Sequence, residues 1–168
     1  MSAVSIRART DSAEATAALA AAIAELLRPC DVVVLTGDLG AGKTTFTQGV
    51  GRGLGIDEQI TSPTFTIVRS YTGRLDLYHL DVYRLAQLEE VADLGLGELL
   101  DDDAVTLIEW GDRILPMLGT DHLDVRIALG DDDDERVIEL TCTGHRWSAR
   151  QRALHTALRP WMEEETSC

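Results

Sequence analysis

Val32-Val33-Val34-Leu35-Thr36-Gly37-Asp38-Leu39-Gly40-Ala41-Gly42-Lys43-Thr44 is the stretch that decides the fold. Its first part is a short β-branched run that reads as a buried strand ending at Thr36. Its second part satisfies Gly, four residues, Gly-Lys-Thr, the pattern of a phosphate-binding loop. Gly37, Gly40 and Gly42 allow backbone angles and close approaches that a Cβ would block. The loop amides then converge on phosphate oxygens at a helix N-terminus. Lys43 is the only lysine in the chain, the other fourteen basic side chains being arginine. It would neutralise β- and γ-phosphates while the Thr44 hydroxyl holds Mg²⁺. Behind the loop, Phe46, Val50 and Leu54 recur at helical spacing, and Gly53 and Gly55 mark a stop. Strand, loop and helix in that order predict nucleoside triphosphate binding.

The surrounding chain limits what that loop serves. Its 168 residues suggest one domain with a core large enough to fold, spanning 1–168. No apolar run approaches the length of a membrane span. Ala15–Ile23 superficially resembles a signal-peptide core, but Asp11 and Glu14 precede it and Leu19, Ile23 and Leu26 form a helical stripe. It therefore reads as an amphipathic helix, with Asp11 and Glu14 at capping-box spacing. Cys30, Cys142 and Cys168 form no close pair or metal-ligand spacing, as in a cytoplasmic protein with reduced thiols. A net charge of −14 argues against an extensive nucleic-acid-binding surface; any RNA would be met through a partner. The acidic run Asp131–Glu135 lies between two alternating apolar segments and reads as the solvated turn of a β-hairpin. The chain contains no Asn, which rules out the Asn-Lys-x-Asp motif of guanine-specific P-loop proteins. ATP is the default nucleotide.

The residue pattern predicts a strand near Val4–Ala8, helix Ser12–Leu27, strand Val32–Thr36, and helix Lys43–Leu54. Strands follow near Thr66–Tyr71 and Arg74–Leu80, then a short helix near Leu88–Leu100 and strand Val105–Glu109. The hairpin Leu123–Leu140 and a closing helix Trp147–Trp161 complete the chain. On that helix Trp147, Leu154, Leu158 and Trp161 share a face suited to core packing. Consecutive strands without intervening helices predict a mixed, mostly parallel central sheet flanked by helices, an α/β single-domain P-loop NTPase-like fold.

Three further segments can carry chemistry. Thr61-Ser62-Pro63-Thr64-Phe65 is either a Pro-containing turn or a hydroxyl-rich loop that senses the γ-phosphate as a switch. In His79-Leu80-Asp81-Val82-Tyr83-Arg84, Asp81 falls near a strand terminus. A carboxylate there could orient the attacking water or bind Mg²⁺ through water, with Arg84 steadying transition-state charge. His79 by itself reads as structural, and Tyr83 as packing or a hydrogen-bond tether. Val105-Thr106-Leu107-Ile108-Glu109-Trp110 is an apolar strand ending in a carboxylate, placing Glu109 to receive Mg²⁺ beside Thr44. Trp110 either walls the site or caps the core.

Taken together, GDLGAGKTT at Gly37–Thr45, TSPTF at Thr61–Phe65, HLDVYR at His79–Arg84 and IEW at Ile108–Trp110 closely resemble the TsaE (YjeE) family of bacterial ATPases. Their order and separations fit along nearly the whole chain. The resemblance implies an ATPase with ATP and Mg²⁺ as cofactors and a role in threonylcarbamoyladenosine (t6A) modification of tRNA. A TsaB–TsaD pair would perform the transfer, the ATPase would reset it between turnovers, and tRNA would be reached through that complex. Carried over, Lys43 and the loop amides from Gly37, Gly40, Ala41 and Gly42 to Thr44 and Thr45 bind phosphates. Thr44 and Glu109 are the Mg²⁺ ligands. Asp81 is the residue closest to hydrolysis, with Lys43 and Glu109 beside it. Thr61, Ser62, Thr64, His79, Tyr83, Arg84 and Trp110 become switch or partner-contact candidates. Two other functions use the same loop: a small-molecule kinase, and a nucleotide-dependent binding switch without turnover. The scattered Arg113, Arg126 and Arg136 do not form the Arg-rich lid a kinase would need.

Overall fold

The computed structural model describes residues 5–38, 40–61, 68–82 and 95–163, with the backbone alone for 113 and 117. Seven strands form one sheet in the order β1-β7-β6-β2-β5-β4-β3. They are β1 (Ser5–Thr10), β2 (Val32–Gly37), β3 (Val68–Tyr71), β4 (Asp76–Asp81), β5 (Ala104–Glu109), β6 (His122–Leu129) and β7 (Arg136–Thr143). Strands β6, β2, β5 and β4 run parallel to one another. β7 and β3 are antiparallel to their neighbours, and β1 is antiparallel to β7. The sheet is mixed and mostly parallel, as the strand spacing predicts.

Both faces of the middle strands are covered, which is why β2 and β5 are apolar without alternation. One face packs α1 (Ala13–Ala24) and α2 (Lys43–Gly53) over Val33, Leu35, Leu107 and Val125. The other face buries Val34, Leu80 and Ile108 against Leu96 of α3 (Leu96–Asp101) and Ile114 of a 3₁₀ segment, Gly111–Met117. The alanine run of α1 has a packing reason. A Cβ on Gly49 would lie 2.3 Å from the Ala17 carbonyl oxygen, and one on Gly53 would lie 2.6 Å from the Ala24 Cβ. Small residues on both helices let their backbones meet, so α2 is held rigidly behind its own N-terminal loop.

Two sequence expectations need correction. Ser12, not Asp11, caps α1: its backbone is extended and its hydroxyl accepts from the Ala15 amide at 3.1 Å. Ser offers the short oxygen that reaches the third amide of the first turn. The closing helix is not continuous. It divides into α4 (His145–Ser148), α5 (Gln151–Leu158) and a 3₁₀ turn, Arg159–Trp161. Arg150 sits at the break, with φ −99° and ψ 2°, and its guanidinium meets Asp31. Trp147, Leu154 and Leu158 are buried nonetheless, with Trp161 half-buried against the same core. Of the expected helix 88–100, residues 88–94 lie outside the described residues, as do Thr66 and Ile67 of the expected strand. No helix among the described residues is long and apolar enough to cross a membrane.

Candidate functional site

Three parallel neighbours, β2, β5 and β4, end together, and their register sets the site. Leu35 pairs with Glu109, and Glu109 pairs with Asp81. The phosphate-loop pattern leaves β2 at Gly37 on this same edge, where ligands gather in open α/β sheets. Asp81, whose strand direction the sequence leaves open, therefore stands beside Glu109 at a shared C-terminal edge. Gly40, Gly42, Lys43, Thr44, Thr45, Asp81, Glu109 and Trp110 line one cleft of about 330 Å³.

The loop is shaped by contacts that tolerate no side chain. A Cβ on Gly37 would lie 2.5 Å from the Ile127 carbonyl oxygen of β6. Gly42, the cap of α2, has φ 106°, a left-handed angle that suits glycine. The turn is closed by the Ala41 amide donating to the Asp38 carbonyl at 3.0 Å.

Lys43 is only 7% exposed, so its ammonium is placed by the fold. Nζ donates to the carbonyls of Gly37 and Asp38 at 2.7 and 2.8 Å and stands 4.2 Å from the ring centre of Trp110. Burial lowers the lysine's pKa from its ordinary value, opposed by the charges of Glu109, Asp81 and Asp38. Trp110 thus both walls the cleft and packs against the second core. Its φ of 63° is unusual for a bulky residue, a local cost that holds the ring beside Lys43.

Glu109, 3% exposed, closes β5 with His79 Nε2 3.2 Å from its Oε2. Thr44, Asp81 and Glu109 give the cleft an oxygen-only donor set. That chemistry suits Mg²⁺, which takes few protein ligands and completes its shell with phosphate and water. Among the described residues, the cleft included, no three His, Cys, Asp or Glu side chains are grouped to hold a metal.

The acidic run forms the β6–β7 turn, with Gly130 N donating to Glu135 O and Glu135 N to Asp132 O. Arg9 of β1 pairs with Glu135 and with Glu163. Arg136, which the sequence leaves among scattered arginines, reaches the glycine-rich loop after β2. Its Nε donates to the Ala41 carbonyl at 2.8 Å, and its Nη1 donates to Asp133 O and Glu135 O. The hairpin turn and the loop are therefore one hydrogen-bonded unit. A smaller recess of about 70 Å³ lies behind Thr45, lined also by Ser12, Thr16, Asp134 and Arg136. No local pattern signals Arg136, since its partner is 95 residues away.

Other expected residues fall differently. Thr61 is exposed and accepts from Arg69 Nη1 at 2.9 Å. His79 belongs to the buried sheet, not the surface. Ser62, Thr64, Tyr83 and Arg84 lie outside the described residues.

Residues 10–138 match the family model described as threonylcarbamoyl adenosine biosynthesis protein TsaE. The chain is 46% identical over 140 residues to a Bacillus subtilis protein named tRNA threonylcarbamoyladenosine biosynthesis protein TsaE, covering 83% of this chain and 87% of that one. A Treponema pallidum protein of the same name is 50% identical over 109 residues, covering 65% and 81% respectively. The crystal structure of YdiB from Bacillus subtilis superposes with a TM-score of 0.79 at 39% identity, covering 93% of this chain and 97% of that one.

Proposed function

The chain belongs to the TsaE family of threonylcarbamoyl adenosine biosynthesis proteins, and from that premise we propose that it is a Mg²⁺-dependent ATPase of t6A formation in tRNA. It acts on a TsaB–TsaD transferase pair and resets that pair between turnovers. The observation that most supports this reading is the meeting of Lys43, Thr44, Asp81 and Glu109 around one cleft at the ends of β2, β5 and β4.

Each side chain has a role that its position suits. The amides from Gly37 to Thr45 and the N-terminus of α2 bind the phosphates, and Lys43 neutralises the β- and γ-oxygens. The Thr44 hydroxyl and Glu109 would hold Mg²⁺, which when bound offsets charge on the phosphate oxygens. Asp81, one strand over from Glu109, orients the attacking water toward the γ-phosphate. Little covalent chemistry falls to the protein, so placement and charge supply the rate. Thr61, with Ser62 and Thr64, is the γ-phosphate switch; Tyr83 and Arg84 complete the Asp81 segment. A chain of net charge −14 meets tRNA through the complex rather than across its own surface.

Phosphate release by the isolated chain, with and without TsaB–TsaD, tests the proposal. Partner-stimulated release with no phosphorylated small molecule supports it. Binding of ATP without release under either condition leaves a switch, and stoichiometric phosphorylation of an acceptor leaves a kinase.

A further inference from the structure

His79 is fully buried in β4, and the roles above leave it without a task. It pairs in register with Leu107, as Asp81 pairs with Glu109. Alternation along both strands therefore puts His79, Asp81, Leu107 and Glu109 on one face, with His79 diagonal to Glu109. Its Nε2 lies 3.2 Å from Glu109 Oε2, yet off the line of a hydrogen bond, and neither ring nitrogen has a hydrogen-bond partner among the described residues. A buried polar group left this way costs free energy. Leu77 and Leu107, fully buried on the same face, show what suffices there for packing alone.

The two tautomers of the ring differ sharply in this setting. With the proton on Nδ1, a lone pair on Nε2 would face the carboxylate and a buried N–H would lack an acceptor. With the proton on Nε2, the N–H faces Glu109 and only an acceptor is left over. A small ring rotation would then align the bond, as polar contacts in such sites often tighten with the ligand in place.

We propose that His79 is a positioning residue: its Nε2–H holds Glu109 Oε2, so the carboxylate keeps one rotation and turns its other oxygen to the cation. This rests on the assignment of Glu109 as a Mg²⁺ ligand. Partners of this kind fix ligand orientation and typically change metal affinity by about 10–100-fold when removed.

The test compares His79→Gln, whose amide nitrogen reaches the Nε2 position, with His79→Leu, which fills the space without a donor. His79→Met repeats the donor-less case should His79→Leu fail to fold. Calorimetry measures ATP affinity without metal, then Mg²⁺ affinity of the ATP-bound protein. Metal-free ATP affinity is expected within about twofold of wild type in every folded variant. The donor-less variants lose about 10–100-fold in Mg²⁺ affinity, while His79→Gln stays within about threefold. A donor-less variant whose Mg²⁺ titration superimposes on wild type overturns the inference. So does an equal loss in His79→Gln and His79→Leu, which would make the residue a packing element. Wild-type ATP binding that ignores Mg²⁺ would instead overturn the Mg·ATP reading of the cleft itself, and this inference with it.

Discussion

Replacing Arg150 by Met breaks a buried ion pair at the end of β2 opposite the phosphate loop, and the cost can be worked from its contacts. Asp31 is 2% exposed and Arg150 5%. The pair is bidentate, with Nη1 to Oδ2 at 2.6 Å and Nη2 to Oδ1 at 2.7 Å. Arg150 also donates to the carbonyls of Leu26 and Arg146 and stacks 3.9 Å from the Trp147 ring centre. Removing one member of such a pair costs about 3–5 kcal/mol because the other charge stays buried. Two contacts limit the damage to about the lower end of that range. The Arg28 amide still donates to Asp31 Oδ2, and Arg146 Nη2, 3.7 Å from Oδ1, can swing inward. At roughly 2–4 °C per kcal/mol for a chain of this size, the melting temperature should fall by about 6–12 °C. Urea unfolding of Arg150→Met, Asp31→Leu and the double variant measures the coupling, expected to be at least about 1.5 kcal/mol. ATP affinity of the folded variant should not change, since Gly37 lies at the other end of the strand. A loss below about 1 kcal/mol with an unchanged denaturant slope would refute the reasoning.

Lys43→Met should abolish tight ATP binding yet melt no lower than wild type. Burial lowers the lysine's pKa, so below its folded value the charge is held at a cost. Between that value and the ordinary 10.5 the unfolded chain binds the extra proton, so Lys43 makes stability rise with pH; alkaline melts of the Met variant should lack that slope. Glu109→Gln should weaken Mg²⁺ dependence more than metal-free ATP affinity; superimposable Mg²⁺ titrations would make Glu109 a strand-end acid. Arg136→Ala should weaken ATP binding by about tenfold, the worth of one charge-assisted tether to the loop, and wild-type affinity in calorimetry would show that the Ala41 carbonyl needs no such hold.

The strand, tight turn and helix start around the glycine-rich loop were legible because the pattern is local, carried by thirteen consecutive residues from Val32 to Thr44. Asp81 and Glu109 were legible as strand-end acids, but only the parallel register of β4 and β5 makes them neighbours. Arg136 and Arg150 were not legible. Their partners lie 95 and 119 residues away, and no periodicity encodes a contact at that distance. The break before α5 falls at Arg150, within a sequence that is otherwise helical in pattern. His79 reads as structural from sequence, and only its full burial and its 3.2 Å distance to Glu109 single it out.

The most direct measurement is multiple-turnover t6A formation with TsaB–TsaD, tRNA and ATP, comparing no added chain, wild type and Asp81→Asn. On the proposed role of Asp81 in placing water, its loss should spare Mg·ATP binding and remove turnover. Wild type is expected to carry the transferase through repeated cycles, and Asp81→Asn to leave it near a single cycle while binding Mg·ATP normally. Equal product with and without the chain, or full cycling with Asp81→Asn, would contradict the claim that ATP hydrolysis at this cleft resets the transferase.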